Sequence, residues 1–212
     1  MPNWCITEFT ITASNASLKV LNEKFEEAFK VDTIENDFGS EWIGNLLVVA
    51  GEDEDYILHG SYNCRGWISY YEYREGNNIC LSTESAWSPS TDCIRLFCSK
   101  FVDDADITYV ATEPGNLIFL TNDSDVEGKC DIYTYINRSD TRLTDEDYDI
   151  LESFDKYDYL SLDEDEVKDI LKDISVFKGK ADRMTVDEMT DYINRNTDNS
   201  VCVNVYEYEE LL

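Results

Sequence analysis

Proline is scarce in this chain, with 3 in 212 residues, and glycine is little commoner at 9. Long flexible linkers therefore find little material. Histidine occurs once, as His59. A Ser-His-Asp triad must draw its base from that one residue, which sits between Leu58 and Gly60 with no local support, so triad chemistry is set aside. Basic residues are also few: 17 Lys+Arg stand against 46 Asp+Glu, a formal net charge of −29. Such a surface repels nucleic acid phosphates and anionic membranes, which excludes direct DNA or RNA binding, and it attracts basic proteins. No run approaches the roughly 18 apolar residues of a membrane span, and no stretch reads as a signal peptide. A Gly-rich phosphate loop is absent as well.

Paired cysteine spacing is a further absence. The seven cysteines (Cys5, Cys64, Cys80, Cys93, Cys98, Cys130 and Cys202) are odd in number and include no CxxC. That pattern implies free thiols in a reducing, cytoplasmic compartment, with Cys80, Cys93 and Cys98 as small buried hydrophobes. With one histidine beside them, no zinc ligand set can be assembled from local spacing. Asp123, Asp125, Glu127 and Gly128 match the start of an EF-hand loop, but Thr134 stands where a bidentate acid is needed and the flanks read as strands. The segment is read as a turn. Pro2 would lead the chain after loss of Met1, yet a secondary-amine catalyst needs a pocket the sequence does not supply. No catalytic, cofactor-binding or metal-ligating residue is assigned.

What is present is a core. Apolar residues make up 42%, with 14 Tyr, 9 Phe and 4 Trp, which is not the composition of a disordered chain. In "WCITEFTITA" (4–13), Cys5, Thr7, Phe9 and Ile11 alternate onto one face of a strand. Ser14, Asn15 and Ser17 then offer caps to a helix over 17–30, with Leu18, Leu21, Phe25, Ala28 and Phe29 as its apolar stripe. "NLLVVAG" (45–51) reads as a short strand and "GEDED" (51–55) as an acidic loop. The aromatic stretch 61–73, the turn "REGNN" and "ICLSTESA" make a hairpin. Ser88 with Pro89 and Asp92 predicts a helix start, lined by Cys93, Ile94, Phe97, Cys98 and Phe101. "ADITYVATEPGN", "LIFLTN" and "CDIYTYIN" add three strands. The order strand–helix–strand–strand–helix–strand is the split βαβ, or ferredoxin-like, arrangement with extra antiparallel strands, an α+β fold.

From about residue 139 the chain turns helical. Thr144 caps one helix; Ser161 with Glu164, and Thr185 with Glu188, read as capping boxes for two more; "SVCVNVYEY" is a closing strand. The division expected is a ferredoxin-like domain over 1–138 and an acidic, mostly helical part over 139–212. The first holds 24 acids and 9 bases and the second 22 and 8, so the tail is nearly twice as acidic per residue.

"MPNWC" followed by "TI", then "ESAWSPS" and "ITYVATEPGN", resembles the YubB-type ferredoxin-like family of phage and plasmid proteins over roughly 1–138. The resemblance implies the fold and a mobile-element context in a bacterial host; it brings no catalytic residues.

Acids gather in clusters: Glu52, Asp53, Glu54 and Asp55; Asp103, Asp104 and Asp106; Asp145, Glu146, Asp147 and Asp149; and Asp163, Glu164, Asp165 and Glu166. Each alone fits a solvated face or a helix start. Their total opposes compaction, and carboxylates spaced on a rigid surface imitate the phosphate rows of a duplex. The expected function is a non-enzymatic, nucleic-acid-mimicking inhibitor of a basic host protein such as a CRISPR effector or restriction enzyme. Contact is expected through Glu52, Asp53, Glu54 and Asp55, through the two tail clusters, and through exposed Tyr148, Tyr157 and Tyr159. Two alternatives stay open: a ligand-binding domain or small enzyme using the aromatic sheet around Trp67 to Tyr73, and an accessory protein whose acidity serves solubility.

Overall fold

The computed structural model describes residues 3–32, 34–138, 142–157, 161–197 and 200–210. The chain divides into two compact units after Asp123. The alternation expected at the start forms β1 (Trp4–Thr12), with Cys5, Thr7, Phe9 and Ile11 buried. Ser14 then caps α1 (Asn15–Ala28) by accepting from the Ser17 N–H, and Leu18, Leu21, Phe25 and Ala28 are its buried stripe. Two short helices follow, α2 (Gly44–Val49) and α3 (Glu54–His59). Next come β2 (Gly66–Arg74), β3 (Asn78–Ala86), α4 (Thr91–Phe101), β4 (Asp106–Glu113) and β5 (Ile118–Thr121). The sheet order within this unit is β2-β3-β1-β4-β5 with antiparallel neighbours, which is the split βαβ order extended by one strand. α1 and α4 share the core with it: Phe25 meets Phe97 at 4.6 Å and Phe9 meets Tyr109 at 6.1 Å.

Three local expectations are corrected here. Residues 44–49 are helix, not strand, and Leu46 and Leu47 are fully buried in the same core as α1 and α4. A short apolar run satisfies either element when all sides are covered. "GEDED" is only partly loop, because Asp53 accepts from the Asp55 N–H and starts α3. α4 begins at Thr91, three residues beyond Ser88, because the Ser88 carbonyl already accepts from the Asn63 side chain and from Ser85 Oγ, both at 2.8 Å.

In β2 the register shifts between Ile68 and Tyr70. The extra residue, Ser69, changes the parity of the strand. Ile68 before it and Tyr71 and Tyr73 after it therefore all oppose core-facing residues of β3. The hairpin turn has its positive φ at Gly76.

The second unit contains β6 (Cys130–Ile136), α5 (Asp145–Leu151), α6 (Glu164–Leu171), α7 (Val186–Asn196) and β7 (Val201–Glu207). β6 pairs antiparallel with β7, from Cys130↔Glu207 to Ile136↔Val201. The expected boundary near 138 thus moves to 123, because β6 finds its partner at the far end of the chain. All three helices begin with a capping box, on Thr144/Asp147, Asp163/Glu166 and Thr185/Glu188. The middle box lies two residues beyond the expected Ser161/Glu164. In that frame Leu162, just before the cap, and Val167, four residues after it, are both buried in one cluster, the arrangement of a hydrophobic staple. Leu143 with Tyr148, and Met184 with Met189, repeat it.

Candidate functional site

The acidic clusters are divided by these helix starts. At α5, Asp145 and Glu146 are exposed. Asp147 is 1% exposed and Tyr148 2%, so both leave the expected contact surface. Asp147 is the third residue of the helix and turns back to accept from the Thr144 N–H; Tyr148 is the fourth and enters the core as half of the staple. A leucine before Thr144 and a tyrosine four residues after it carry that signal. Asp149 and Glu152 hold Arg138 between them, each at 2.7 Å. The Arg138 guanidinium is thereby pushed above its ordinary value, first by Glu152 and then by Asp149.

At α6, Asp163 and Glu166 cap the helix and face Lys129 at 3.9 Å, while Glu164 and Asp165 are exposed. Burial pushes the Glu207 carboxyl up, and Glu164 and Glu209 add to it. The Cys130 thiol rises to about 12, first through burial and then through Glu207, Glu164 and Asp163. Like charge is therefore crowded around the start of α6, and Glu207 and Glu209 join a cluster that sequence spacing alone does not connect. Tyr157 is 45% exposed; Tyr159 lies outside the described residues. In the first unit, Glu52 pairs with Lys100 at 2.8 Å, Asp53 is a cap, Asp55 meets His59 Nδ1 at 3.2 Å, and Glu54 is exposed.

A second region lies at one end of the five-stranded sheet, where the three stretches quoted for the resemblance meet. Trp4 pairs with Ala86, and the Trp87 N–H donates to the Asn3 carbonyl at 2.9 Å. A Cβ on Gly115 would meet the ends of the Asn3 and Glu113 side chains, which would have to shift to admit it. Glu113 is 3% exposed; its Oε1 accepts from the Gly115 N–H at 2.9 Å, and its Oε2 has no partner. Trp87 is 48% exposed and holds a left-handed φ of 71°, a conformation that costs a bulky residue energy and persists only where the surroundings impose it.

Beside this sheet end is a cleft of about 560 Å³ lined by Trp4, Phe38, Trp42, Tyr62, Glu35, Asp37 and Arg65, among others. Trp4 and Trp67 lie 4.7 Å apart edge to face, and Phe38 stacks on Trp67 at 5.8 Å. The aromatic run 67–73 divides differently from the expectation of one aromatic face. Tyr71 turns inward and donates to Asn22 Oδ1 at 2.8 Å, whereas Tyr70 stays outside and donates to Glu72 at 2.7 Å. Cys64 lines the cleft, and its sulfur lies 3.9 Å from that of the buried Cys93.

Among the described residues, no group of three or more His, Cys, Asp or Glu side chains is arranged to hold a metal ion, and no helix is long and apolar enough to cross a membrane. Comparison of the chain with protein-family models, with curated proteins and with solved structures yields no match.

Proposed function

We propose that this protein is a non-enzymatic inhibitor, carried by a phage or plasmid, that binds a basic nucleic-acid-processing protein in the cytoplasm of a bacterial host. The partner class is a CRISPR effector or a restriction enzyme, whose Arg/Lys groove would take carboxylates in place of phosphates. The observation that supports this reading is the like-charge crowd in residues 124–210. Asp145, Glu146, Glu164 and Asp165 are exposed, and Glu207 lies close enough to Glu164 and Glu209 for their charge to raise its carboxyl further. Residues 124–212 carry 25 acids against 10 bases. Self-repulsion of that size opposes folding, and a charged partner surface gives it a use.

The test is inhibition of a panel of CRISPR nucleases and restriction enzymes, at about 50 mM and about 500 mM salt, with duplex DNA as competitor. Inhibition of at least one enzyme that weakens with salt and is relieved by DNA is expected. Replacing Asp145, Glu146, Glu164 and Asp165 by Asn or Gln should abolish it while leaving the caps intact. Absence of binding to every enzyme at low salt overturns the reading.

A further inference from the structure

The cleft at the sheet end has the features of a ligand site, and its chemistry selects the ligand. Its volume of about 560 Å³ lies in the usual range for small-molecule pockets, roughly 300–1,000 Å³. The walls are aromatic and held by their own hydrogen bonds. Trp42 Nε1 donates to the Cys64 carbonyl, Asn36 closes its own turn through Ile34 and Phe38, and Asn63 ties down the carbonyls of Ala86 and Ser88. These amide and indole groups are spent on the protein itself. The charged groups left for a ligand are the exposed carboxylates of Glu35 and Asp37 and the exposed guanidinium of Arg65.

Two negative charges against one positive charge favour a cation, and residues 1–123 as a whole carry 21 acids against 7 bases. Indole, phenyl and phenol rings attract an ammonium group whose hydration is weak, and they do so most when water is excluded. An inorganic cation keeps its water and gains nothing from these walls. An organic anion would meet Arg65 at the cost of approaching both carboxylates. We propose that the cleft, built on Trp4, Phe38, Trp42 and Tyr62 and rimmed by Glu35 and Asp37, binds a small organic cation, an ammonium or amidinium group on a body of one or two rings. All of the site's residues belong to the first unit, and its occupancy does not depend on the acids of residues 124–210 having a protein partner.

The test uses the full chain and three probes: tetramethylammonium, benzyltrimethylammonium and benzamidine. Neopentylbenzene serves as the uncharged shape-match of the second, and benzoate as an anion. Binding is followed by tryptophan fluorescence and by the indole N–H resonances. Saturable binding of at least one cation below about 10 mM is expected, with benzyltrimethylammonium at least roughly tenfold tighter than neopentylbenzene. The Glu35→Gln/Asp37→Asn double variant, whose substitutions are on the surface, should weaken the cation about tenfold and leave neopentylbenzene unchanged. Phe38→Leu should weaken both. Equal affinity for the charged and uncharged pair, preference for benzoate, or no saturable shift with any of the three cations overturns the proposal.

Discussion

Ser175 donates twice to the buried carboxylate of Asp147, from its backbone N–H and from its hydroxyl, each at 2.6 Å. The Thr144 N–H adds a third bond at 2.8 Å. One acid thus caps α5 and ties it to the 3-10 turn Ser175–Phe177. Hydrogen bonds to a charged group contribute about 1.5–3 kcal/mol each, and a buried donor left without its acceptor costs more. Asp147→Ala is expected to destabilise residues 124–210 by about 3 kcal/mol and Ser175→Ala by about 1–2 kcal/mol, read from urea midpoints. Asp145→Ala, on the same helix start but in solvent, should stay within about 0.5 kcal/mol.

The same carboxylate gives an acid limb to stability. Burial alone would raise the Asp147 carboxyl; the bonds from Ser175 and Thr144 outweigh it and hold the group below its ordinary value of 3.8. A folded-state value below the unfolded one means stability present above about 3.8 and lost as pH falls through the lower value. Asp131 works in the opposite sense, because burial raises it and its protonation favours the fold. Urea unfolding at about pH 6, 4 and 3 is expected to show a loss below 4 that is smaller in Asp147→Asn. An equal loss in both would place the acid limb elsewhere.

Thiol reactivity should follow burial. Burial pushes Cys5 up to about 11 and Cys98 up to about 12, and Cys93 is raised by its hydrogen bond to Cys64 and by burial. That same bond lowers Cys64, against burial. Alkylation of the native protein near pH 8, read by peptide mass, is expected to mark the half-buried Cys80 and Cys202 first, Cys64 next, and Cys5, Cys93, Cys98 and Cys130 only on unfolding.

Trp87 is held in its left-handed conformation by the bond to Asn3 and by the bonds made to Ala86 and Ser88 on either side of it. Trp87→Gly is expected to leave stability unchanged or raise it by up to about 1 kcal/mol. Trp87→Val, β-branched at the same φ, should lower it by about 1–2 kcal/mol. Thermal unfolding of the two variants decides. A marked loss in the glycine variant would mean that the indole supports the fold, in spite of its exposure.

Much of this architecture is legible in the sequence because local rules and tertiary needs agree. The alternation of Cys5, Thr7, Phe9 and Ile11, the stripe from Leu18 to Ala28, the turn at Gly76 and the caps at Thr144 and Thr185 stand as expected. The misreadings share one cause, that the deciding contact is remote. Residues 44–49 are helical because α1 and α4 cover them, and β6 leaves the first sheet because Val201 to Glu207 pair with it. At the candidate sites, exposed acids were predictable from composition, but burial of Asp147 and Tyr148 depends on a frame of caps and staples. The cleft gathers residues from positions 4 to 65, and no motif spacing announces it.

The pairing of β6 with β7 also sets an order of events. Their partners lie 65 to 77 positions apart in the chain. Strands β1 to β4 of the first sheet have their neighbours once Thr121 is made. The second unit cannot close until Glu207 has left the ribosome, and until then the apolar stripes of α5, α6 and α7 wait without their sheet. Non-local pairing of this kind is slow to form, so the late-maturing half of the chain is also the half that carries the crowded acids.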